Sequence, residues 1–233
     1  MRRHIDLRSL DTPQAVAAAF GFSAAVGDRL AAFDRVFMEA AEIHNLVARS
    51  TLPDRFARHY ADSLQLAAFI PESACTHVDL GSGAGFPGLV LAAALSDRGL
   101  KTRLVESTGK KAAFLAQAAD AMGLDVVLEN ARIESLAPAP ADIVTARALA
   151  PLEKLFGYVA PFCGPETVAL LPKGQDVAAE LTEAAKSWMY EIVTHPSVTN
   201  ADAAILEVRN LASRALDRPE PHSRRRQSKG RRR

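Results

Sequence analysis

The stretch Val78-Asp79-Leu80-Gly81-Ser82-Gly83-Ala84-Gly85-Phe86-Pro87-Gly88 decides the fold of this chain of 233 residues. A short strand-like run leads into four glycines within eight residues, and an apolar, helix-like run over residues 89–95 follows. A strand, a glycine turn and a helix in this order place a nucleotide-like cofactor across the carboxyl end of a parallel strand. Glycines also serve tight turns that bind nothing, because they tolerate positive φ, so the motif alone leaves a purely structural role open.

The spacing of the glycines indicates the kind of cofactor. Dinucleotide-binding folds prefer G-x-G-x-x-G/A, and the third small residue of that pattern falls here on Phe86. Gly81, Gly83 and Gly85 instead give G-x-G-x-G, which suits a cofactor without a pyrophosphate, such as S-adenosylmethionine. An NAD-dependent dehydrogenase stays an alternative, but Phe86 argues against it.

Composition favours one globular α/β domain with a modest extension. Hydrophobic residues make up 48% of the chain and charged residues 24%, which is ordinary for a soluble protein. The sequence shows neither a membrane-spanning run nor the apolar core of a signal peptide. The two cysteines, Cys75 and Cys163, lack the paired spacing of a disulfide framework or a zinc site. We therefore predict a cytoplasmic protein with no membrane partner; the oligomeric state stays open, with a monomer as the default expectation.

Charge is distributed unevenly along the chain. Residues 214–233 carry nine Lys or Arg and two acids, a net charge of +7, whereas the rest of the chain carries −6. We predict three parts: an N-terminal helical extension (1–74), a cofactor-binding domain (75–213) and a basic, disordered tail (214–233). The tail suits contact with the phosphates of a polyanion, although a solubilising role explains its charge equally well. Its candidate RNA-binding residues are Arg224, Arg225, Arg226 and Lys229.

Hydrophobic periodicity predicts helices over residues 13–69, and alternating strands and helices from residue 76 onward. Such alternation is typical of a doubly wound, Rossmann-like parallel sheet. The last two strands have no helix between them, so we expect them to pair antiparallel. Strands are predicted at 77–80, 102–105, 125–129, 142–146, 167–171, 191–195 and 203–208, and helices at 110–122, 151–162 and 176–187.

Ligands of such sheets bind at the carboxyl ends of the strands, so the residues that follow each strand are site candidates. Gly81 and Gly83 follow the first strand, and Phe86 could form an apolar wall beside them. Glu106 follows the second strand, where an acid can accept hydrogen bonds from ribose hydroxyls. A helix-capping or solvated acid is the alternative for Glu106.

The next strand ends supply the remaining candidates. Ile133 and Glu134 follow the third strand, where an adenine ring would lie, although a helix start with Glu134 in its first turn is also typical there. Arg147 follows the fourth strand and could bind a carboxylate or a phosphate, with a surface salt bridge equally compatible. Lys173 follows the fifth strand and is a further RNA-binding candidate, with a simple helix entry as the alternative.

His59 and Asp62 share one helical face and could reach the site, although a histidine satisfied within the core is the more common case. The six histidines lack metal-binding spacing such as H-E-x-x-H, so we predict no metal site. No G-x-S-x-G element supplies a serine nucleophile.

At these residues the sequence resembles the bacterial 16S ribosomal RNA guanine-N7 methyltransferases of the RsmG (GidB) family. The resemblance covers roughly residues 37–209 in consistent order, which makes chance a poor explanation. The F-P-G extension of the glycine loop and the E-S-x-G-K-K-x-x-F-L segment are its most specific parts. The matching segments are residues 58–63, 79–88, 106–115, 130–134, 147–148 and 173–175.

The resemblance implies a seven-stranded methyltransferase sheet, S-adenosylmethionine as cofactor, and 16S ribosomal RNA or the small ribosomal subunit as partner. The acceptor would be N7 of one guanine in the decoding region. Glu106 matches the family's acid after the second strand, and His59 and Lys173 fall on motif positions. The cofactor contacts carried over by position are Gly81, Phe86, Ile133, Glu134 and Arg147.

The chain departs from the family pattern at two places. Ala40-Ala41 stands where a Trp-Asn pair is usual, and Val47 replaces a Thr. These changes affect the N-terminal helices and leave the cofactor motifs intact.

Guanine N7 carries no proton at neutral pH, so the implied reaction requires no general base. We therefore name no certain catalytic residue and regard Arg147 and His59 as candidates for positioning. Another RNA or a small molecule stays an alternative acceptor. A non-catalytic ribosome-assembly factor is an alternative from a different class, although the intact glycines and Glu106 argue against it.

Overall fold

Seven strands form one mixed sheet in the computed structural model, which describes residues 5–214. The strands are β1 (Thr76–Leu80), β2 (Lys101–Val105), β3 (Val126–Glu129), β4 (Ile143–Ala146), β5 (Val168–Lys173), β6 (Trp188–Pro196) and β7 (Ala204–Ser213). Their order is β3-β2-β1-β4-β5-β7-β6. The first five run parallel, and β7 is antiparallel to both β5 and β6. The predicted doubly wound, seven-stranded sheet with an antiparallel final pair is confirmed.

Helices cover both faces of this sheet. The α-helices are α1 (Pro13–Ala19), α2 (Ala24–Ile43), α3 (Asp62–Leu64), α4 (Gly88–Leu95), α5 (Gly109–Ala121), α6 (Leu152–Val159) and α7 (Val177–Ala184). A π-helix (Phe56–Ala61) precedes α3 and a 3-10 helix (Gln65–Phe69) follows it, so residues 56–69 form one continuous helical segment. Further 3-10 helices span Leu7–Ser9, Arg49–Thr51, Ser96–Arg98, Ile133–Ser135 and Ala160–Phe162.

The N-terminal helices share their core with the sheet domain. The apolar positions that predict α2, such as Leu30, Phe33 and Phe37, are fully buried. They lie in one hydrophobic cluster with residues of α4 and α5, against which α2 packs. A second cluster joins α6 and α7 to the opposite face of the sheet. The proposed boundary at residue 74 therefore crosses a continuous core and stays a prediction from sequence.

The end of β7 lies further along the chain than predicted. The strand continues to Ser213, and Arg214 is bound at the start of β6 through its amide to Ser187 O (2.9 Å) and its Nε to Ala185 O (2.9 Å). Arg214, the first residue of the predicted tail, is therefore hydrogen-bonded to the folded domain; the boundary of the tail stays a prediction. The basic residues Arg224, Arg225, Arg226 and Lys229 lie outside the described residues. Between residues 5 and 214, no helix is long and apolar enough to cross a membrane.

Two glycines explain why the loop after β1 can turn so tightly against the sheet. Gly81 has φ +69°, and a Cβ there would lie 2.7 Å from Cδ1 of Leu149. A Cβ on Gly88 would lie 2.5 Å from Oδ2 of Asp79, so only glycine lets α4 begin this close to β1. The loop is therefore fixed by its neighbours on both sides.

Candidate active site

A cavity of about 330 Å³ lies at the carboxyl ends of β1, β2, β3 and β4. The strand order reverses between β1 and β4, and open α/β sheets bind ligands at such a switch point. The structure brings six of the seven sequence-predicted cofactor residues together around this cavity. They are Gly81, Gly83, Glu106, Ile133, Glu134 and Arg147.

Glu106 connects the glycine loop to the start of α5. Its Oε2 accepts a hydrogen bond from the amide of Gly83 (2.9 Å), and its Oε1 accepts one from the amide of Thr108 (2.7 Å). The residue is buried yet lines the cavity. Each carboxylate oxygen keeps a second lone pair, so Glu106 can still accept the hydroxyls of a ribose.

Phe86, the seventh predicted cofactor residue, lies elsewhere. Its ring is 4% exposed and packs among Phe33, Phe37 and Tyr60 of the N-terminal helices, with centroid distances of 5.0–5.4 Å. The ring is therefore not the apolar wall of the cavity that its position in the loop suggested. Because an aromatic cluster holds the side chain, a cofactor contact by Phe86 stays a prediction that only its backbone could fulfil.

Arg147 stands between two cavities. Besides the first cavity, it lines a larger one of about 700 Å³, together with Arg58, Asp62 and Lys173. Its Nη1 lies 3.3 Å from Oδ2 of Asp62 and donates to the carbonyl oxygen of Arg58 (3.3 Å). The salt bridge considered from sequence thus exists, but it forms inside the site and holds the guanidinium at the shared wall.

His59 packs behind Arg147 and lines neither cavity. Its ring is stacked on Phe86 at a centroid distance of 5.1 Å, and its Nδ1 lies 3.4 Å from Nη2 of Arg147. Burial of the ring, followed by the positive charges of Arg147 and Arg58, lowers the pKa of His59 to about 4. The imidazole is therefore neutral at physiological pH and can accept a hydrogen bond from the arginine.

Lys173 and Asp62 line the larger cavity with their charges already compensated. Nζ of Lys173 lies 2.7 Å from Oε2 of Glu180, and its side chain is only 13% exposed. Oδ1 of Asp62 accepts hydrogen bonds from Gln65 Nε2 (2.8 Å) and Thr199 Oγ1 (2.8 Å). The larger cavity is thus lined by residues 7–8, 54–65 and 147–148, by the end of β5 and by the segment 197–205.

Sequence reasoning missed several residues of the first cavity. Leu149 lies two residues after Arg147, and the intervening Ala148 has φ +51°, a conformation that non-glycine residues rarely adopt. Tyr158 comes from α6, and it could have been predicted as a lining residue only from knowing which face of α6 lies above β4. The missed lining residues include Thr108, Lys111, Ala148, Leu149 and Tyr158.

Within residues 5–214, no group of three or more His, Cys, Asp or Glu side chains is arranged to hold a metal ion. The buried polar residues nearest the glycine loop instead pair with one another. Burial raises the pKa of Asp79 to about 6, although Thr145 Oγ1 donates to its Oδ1 at 2.6 Å.

The sheet order, the glycine loop and the acid after β2 define an S-adenosylmethionine-dependent methyltransferase. Solved structures agree on the fold. A TehB-like S-adenosylmethionine-dependent methyltransferase from Corynebacterium glutamicum has a TM-score of 0.53 at 13% identity, covering 76% of this chain and 98% of its own. A mutant of MtNAS in complex with S-adenosylmethionine has a TM-score of 0.52 at 15% identity, covering 88% and 83%.

The chain belongs to the GidB family, whose model, described as rRNA small subunit methyltransferase G, matches residues 28–211. Two relatives carry the name ribosomal RNA small subunit methyltransferase G. The protein of Rhodospirillum centenum is 45% identical over 199 residues, 85% of this chain and 91% of its own. That of Parvibaculum lavamentivorans is 42% identical over 187 residues, 79% and 83% respectively. The resemblance stated from sequence is confirmed.

Proposed function

We propose that this protein transfers the methyl group of S-adenosylmethionine to N7 of one guanine in the decoding region of 16S ribosomal RNA. It would do so in the cytoplasm, as a monomer, on naked RNA or on the small ribosomal subunit. Membership of the GidB family and the names of the relatives support the rRNA substrate. The choice of N7 follows from the resemblance of the sequence motifs.

The observation that carries the proposal is the arrangement of two cavities around one wall. The smaller cavity is lined by the glycine loop, Glu106 and Ile133. Glu106 would contact the ribose of the cofactor, and Ile133 would contact its adenine. The larger cavity begins at Arg147 and Ala148, which line both. A methyl donor in the first cavity can therefore meet an acceptor base that enters through the second.

The main requirement of this reaction is that the protein align the methyl donor with the acceptor nitrogen. N7 of guanine offers a lone pair without losing a proton, so the site needs no general base. S-adenosylmethionine, held by Gly81, Gly83 and Glu106, would supply an activated methyl group on a sulfonium sulfur, whose bond to the methyl carbon breaks as the bond to N7 forms. The residues of this chain contribute by fixing donor and acceptor in line, which removes the entropy of their encounter from the barrier.

Methyl-labelled S-adenosylmethionine tests the proposal directly. Full-length protein is incubated with naked 16S RNA or with small subunits that lack the modification, and large-subunit RNA serves as control. We expect label on a single guanine, identified as 7-methylguanosine by mass spectrometry of nuclease digests. Label on an adenine or on protein would exclude N7 methylation, and failure to bind S-adenosylmethionine would favour the non-catalytic alternative.

Two exposed arginines at the larger cavity are suited to contact RNA phosphates. Arg8 and Arg58 lie on its rim, and neither forms an ion pair with another residue of the range 5–214. Lys173, the RNA-binding candidate from sequence, has its charge balanced by Glu180. We therefore propose that Arg8 and Arg58 contribute more to the electrostatic part of RNA binding than Lys173 does.

The salt dependence of RNA affinity measures this contribution. Each lost phosphate contact should reduce the slope of log K against log salt by about 0.7–0.9. We expect that reduction for Arg58→Gln and Arg8→Gln and a smaller one for Lys173→Met, with Arg35→Gln on α2 as exposed control. Truncation after Arg218 tests the tail in the same assay. An unchanged slope in Arg58→Gln, in Arg8→Gln or in the truncated protein would contradict a phosphate contact by the residues removed there.

A further inference from the structure

A chain of polar groups leads from the backbone of Ala48 to the guanidinium of Arg147. The hydroxyl of Thr51 donates to the carbonyl oxygen of Ala48 at 2.7 Å. Nε2 of His59 lies 2.9 Å from the same hydroxyl oxygen, and Nδ1 on the other side of the ring lies 3.4 Å from Nη2 of Arg147. Every member of this chain thus has a partner on each side.

The donors and acceptors of this chain determine where the imidazole proton lies. Arginine offers only donors, so a hydrogen bond from Arg147 requires Nδ1 of His59 to accept, and a neutral ring then carries its proton on Nε2. The backbone carbonyl of Arg58 also contacts the ring as an acceptor and competes for a ring proton. The single hydroxyl proton of Thr51 goes to Ala48, which leaves its oxygen free to accept that Nε2 proton. The Thr51 end of the chain therefore assigns the proton to Nε2, and the contact with Arg147 is consistent with that tautomer.

Other contacts restrain the ring and the arginine. His59 is stacked on Phe86 with an interplanar angle of 28°, and this contact fixes the plane of the imidazole against the aromatic cluster. The guanidinium lies 5.5 Å above the same Phe86 ring, and Asp62 and the carbonyl of Arg58 bind its Nη1. Arg147 is consequently held from two sides at the wall that the two cavities share.

We propose that His59 is a positioning residue: as the neutral Nε2–H tautomer anchored by Thr51, it aims Arg147 at the boundary between the cofactor cavity and the acceptor cavity. The side chain lines neither cavity, so it acts through the arginine rather than on substrate. The proposal rests on the proposed function for the reaction that this positioning serves.

Two substitutions at His59 separate positioning from packing. Oδ1 of Asn can take the place of Nδ1 and accept from Arg147, whereas the amide of Gln reaches the place of Nε2 and contacts Thr51. We expect kcat of His59→Gln to lie about tenfold or more below that of His59→Asn, because small misplacements at a reacting centre cost up to about 100-fold. Equal kcat values at equal thermal stability would overturn the proposal.

Thr51 provides an independent variant on the same chain. Thr51→Val keeps the shape of the side chain and removes the acceptor for Nε2–H, whereas Thr51→Ser keeps the hydroxyl. We expect kcat to fall in the valine variant and to recover in the serine variant. A valine variant with the wild-type kcat would contradict the anchoring role of Thr51.

NMR of the full-length protein with ¹⁵N-labelled histidine gives the tautomer without any turnover. At neutral pH we expect Nε2 of His59 to be protonated and Nδ1 to be unprotonated, with the signals assigned by their loss in His59→Asn. A proton on Nδ1 would overturn this inference even if guanine is methylated. If the protein methylates another acceptor, but His59 has the expected tautomer and the two variants have the expected ratio of kcat values, only the proposed function is contradicted.

Discussion

Glu106 uses both carboxylate oxygens to hold the backbone around the smaller cavity, through the amides of Gly83 and Thr108. In Glu106→Gln one oxygen becomes an NH₂ group that meets a backbone N–H, so a donor faces a donor. Losing a hydrogen bond to a charged group costs about 1.5–3 kcal/mol. We therefore expect the affinity for S-adenosylmethionine to fall by about tenfold to 100-fold, as measured by calorimetry.

Glu129→Gln is the matched control for this prediction. Glu129 ends the neighbouring strand β3 and pairs with Arg103 at 2.8 Å, but it does not line the cavity. Its substitution should leave S-adenosylmethionine affinity near the wild-type value. If Glu106→Gln binds the cofactor as tightly as Glu129→Gln does, the carboxylate has no part in the cofactor site.

Phe86 shows where prediction from the sequence ends at the scale of single residues. Its place in the glycine loop is visible in the sequence, and so is the mismatch with the dinucleotide pattern. The direction of its ring depends on Phe33, Phe37 and Tyr60, which lie 26–53 positions earlier in the chain. Such a direction is set by packing between distant elements, which local spacing does not encode.

His77 joins three central strands through a buried polar chain. Thr102 of β2 lies 3.2 Å from its Nδ1, and Thr145 of β4 lies 2.8 Å from its Nε2. Thr145 in turn donates to Asp79 of β1 at 2.6 Å. Because its hydroxyl proton goes to Asp79, Thr145 accepts from His77, and Thr102 donates to the remaining ring nitrogen.

Thr145→Val should therefore destabilise the protein by about 2–4 kcal/mol, since it leaves both His77 and Asp79 with a buried unpaired group. Thr145→Ser keeps the hydroxyl and serves as the control, with a loss well below that of the valine variant. Urea unfolding followed by circular dichroism gives both values. A valine variant as stable as the serine variant would show that this chain adds nothing to the stability of the sheet.

The elements of the sheet were largely predictable, and the contacts between them were not. Parallel strands buried on both faces appear as short apolar runs, so β1 to β5 were predicted with their ends correct to within two residues. Strand β6 extends beyond the predicted run at 191–195 because Trp188 and Tyr190 pack on Phe156 of α6. The His77 chain depends on strand register, which no single strand reveals.

At the scale of the whole molecule, the larger cavity combines five distant parts of the chain. Residues 7–8, 54–65 and 147–148, the end of β5 and the segment 197–205 meet there, and Asp62 binds both Arg147 and Thr199. The motifs at these places were visible separately in the sequence. Their meeting at one wall follows from the strand order, which brings the antiparallel pair β6–β7 beside β5.

Three buried groups couple the stability of the molecule to pH. Burial lowers the pKa of His77 to about 3 and, with nearby arginines, that of His59 to about 4, so folding loses stability as pH falls below about 6.5. Asp79 acts in the opposite sense. Burial raises its pKa to about 6, so its contribution is complete below the unfolded value of 3.8 and is lost as pH rises through about 6.

Asp79→Asn should therefore steepen the pH dependence of unfolding near pH 5. There the unfolded chain holds about two protons more than the folded protein on the histidines and about one fewer on Asp79, so the three groups together contribute about 1.4 kcal/mol per pH unit. Without Asp79 their contribution doubles to about 2.7 kcal/mol per pH unit. Urea unfolding at several pH values between about 4.5 and about 5.5 measures this change in slope over roughly one pH unit. The comparison uses the slope and not the absolute stability, so a pH-independent destabilisation by the new amide does not affect it. Asp125→Asn is the control for the loss of an exposed acid. Equal slopes in the wild type and Asp79→Asn would mean that the carboxyl group of Asp79 is ionised in the folded protein throughout this range.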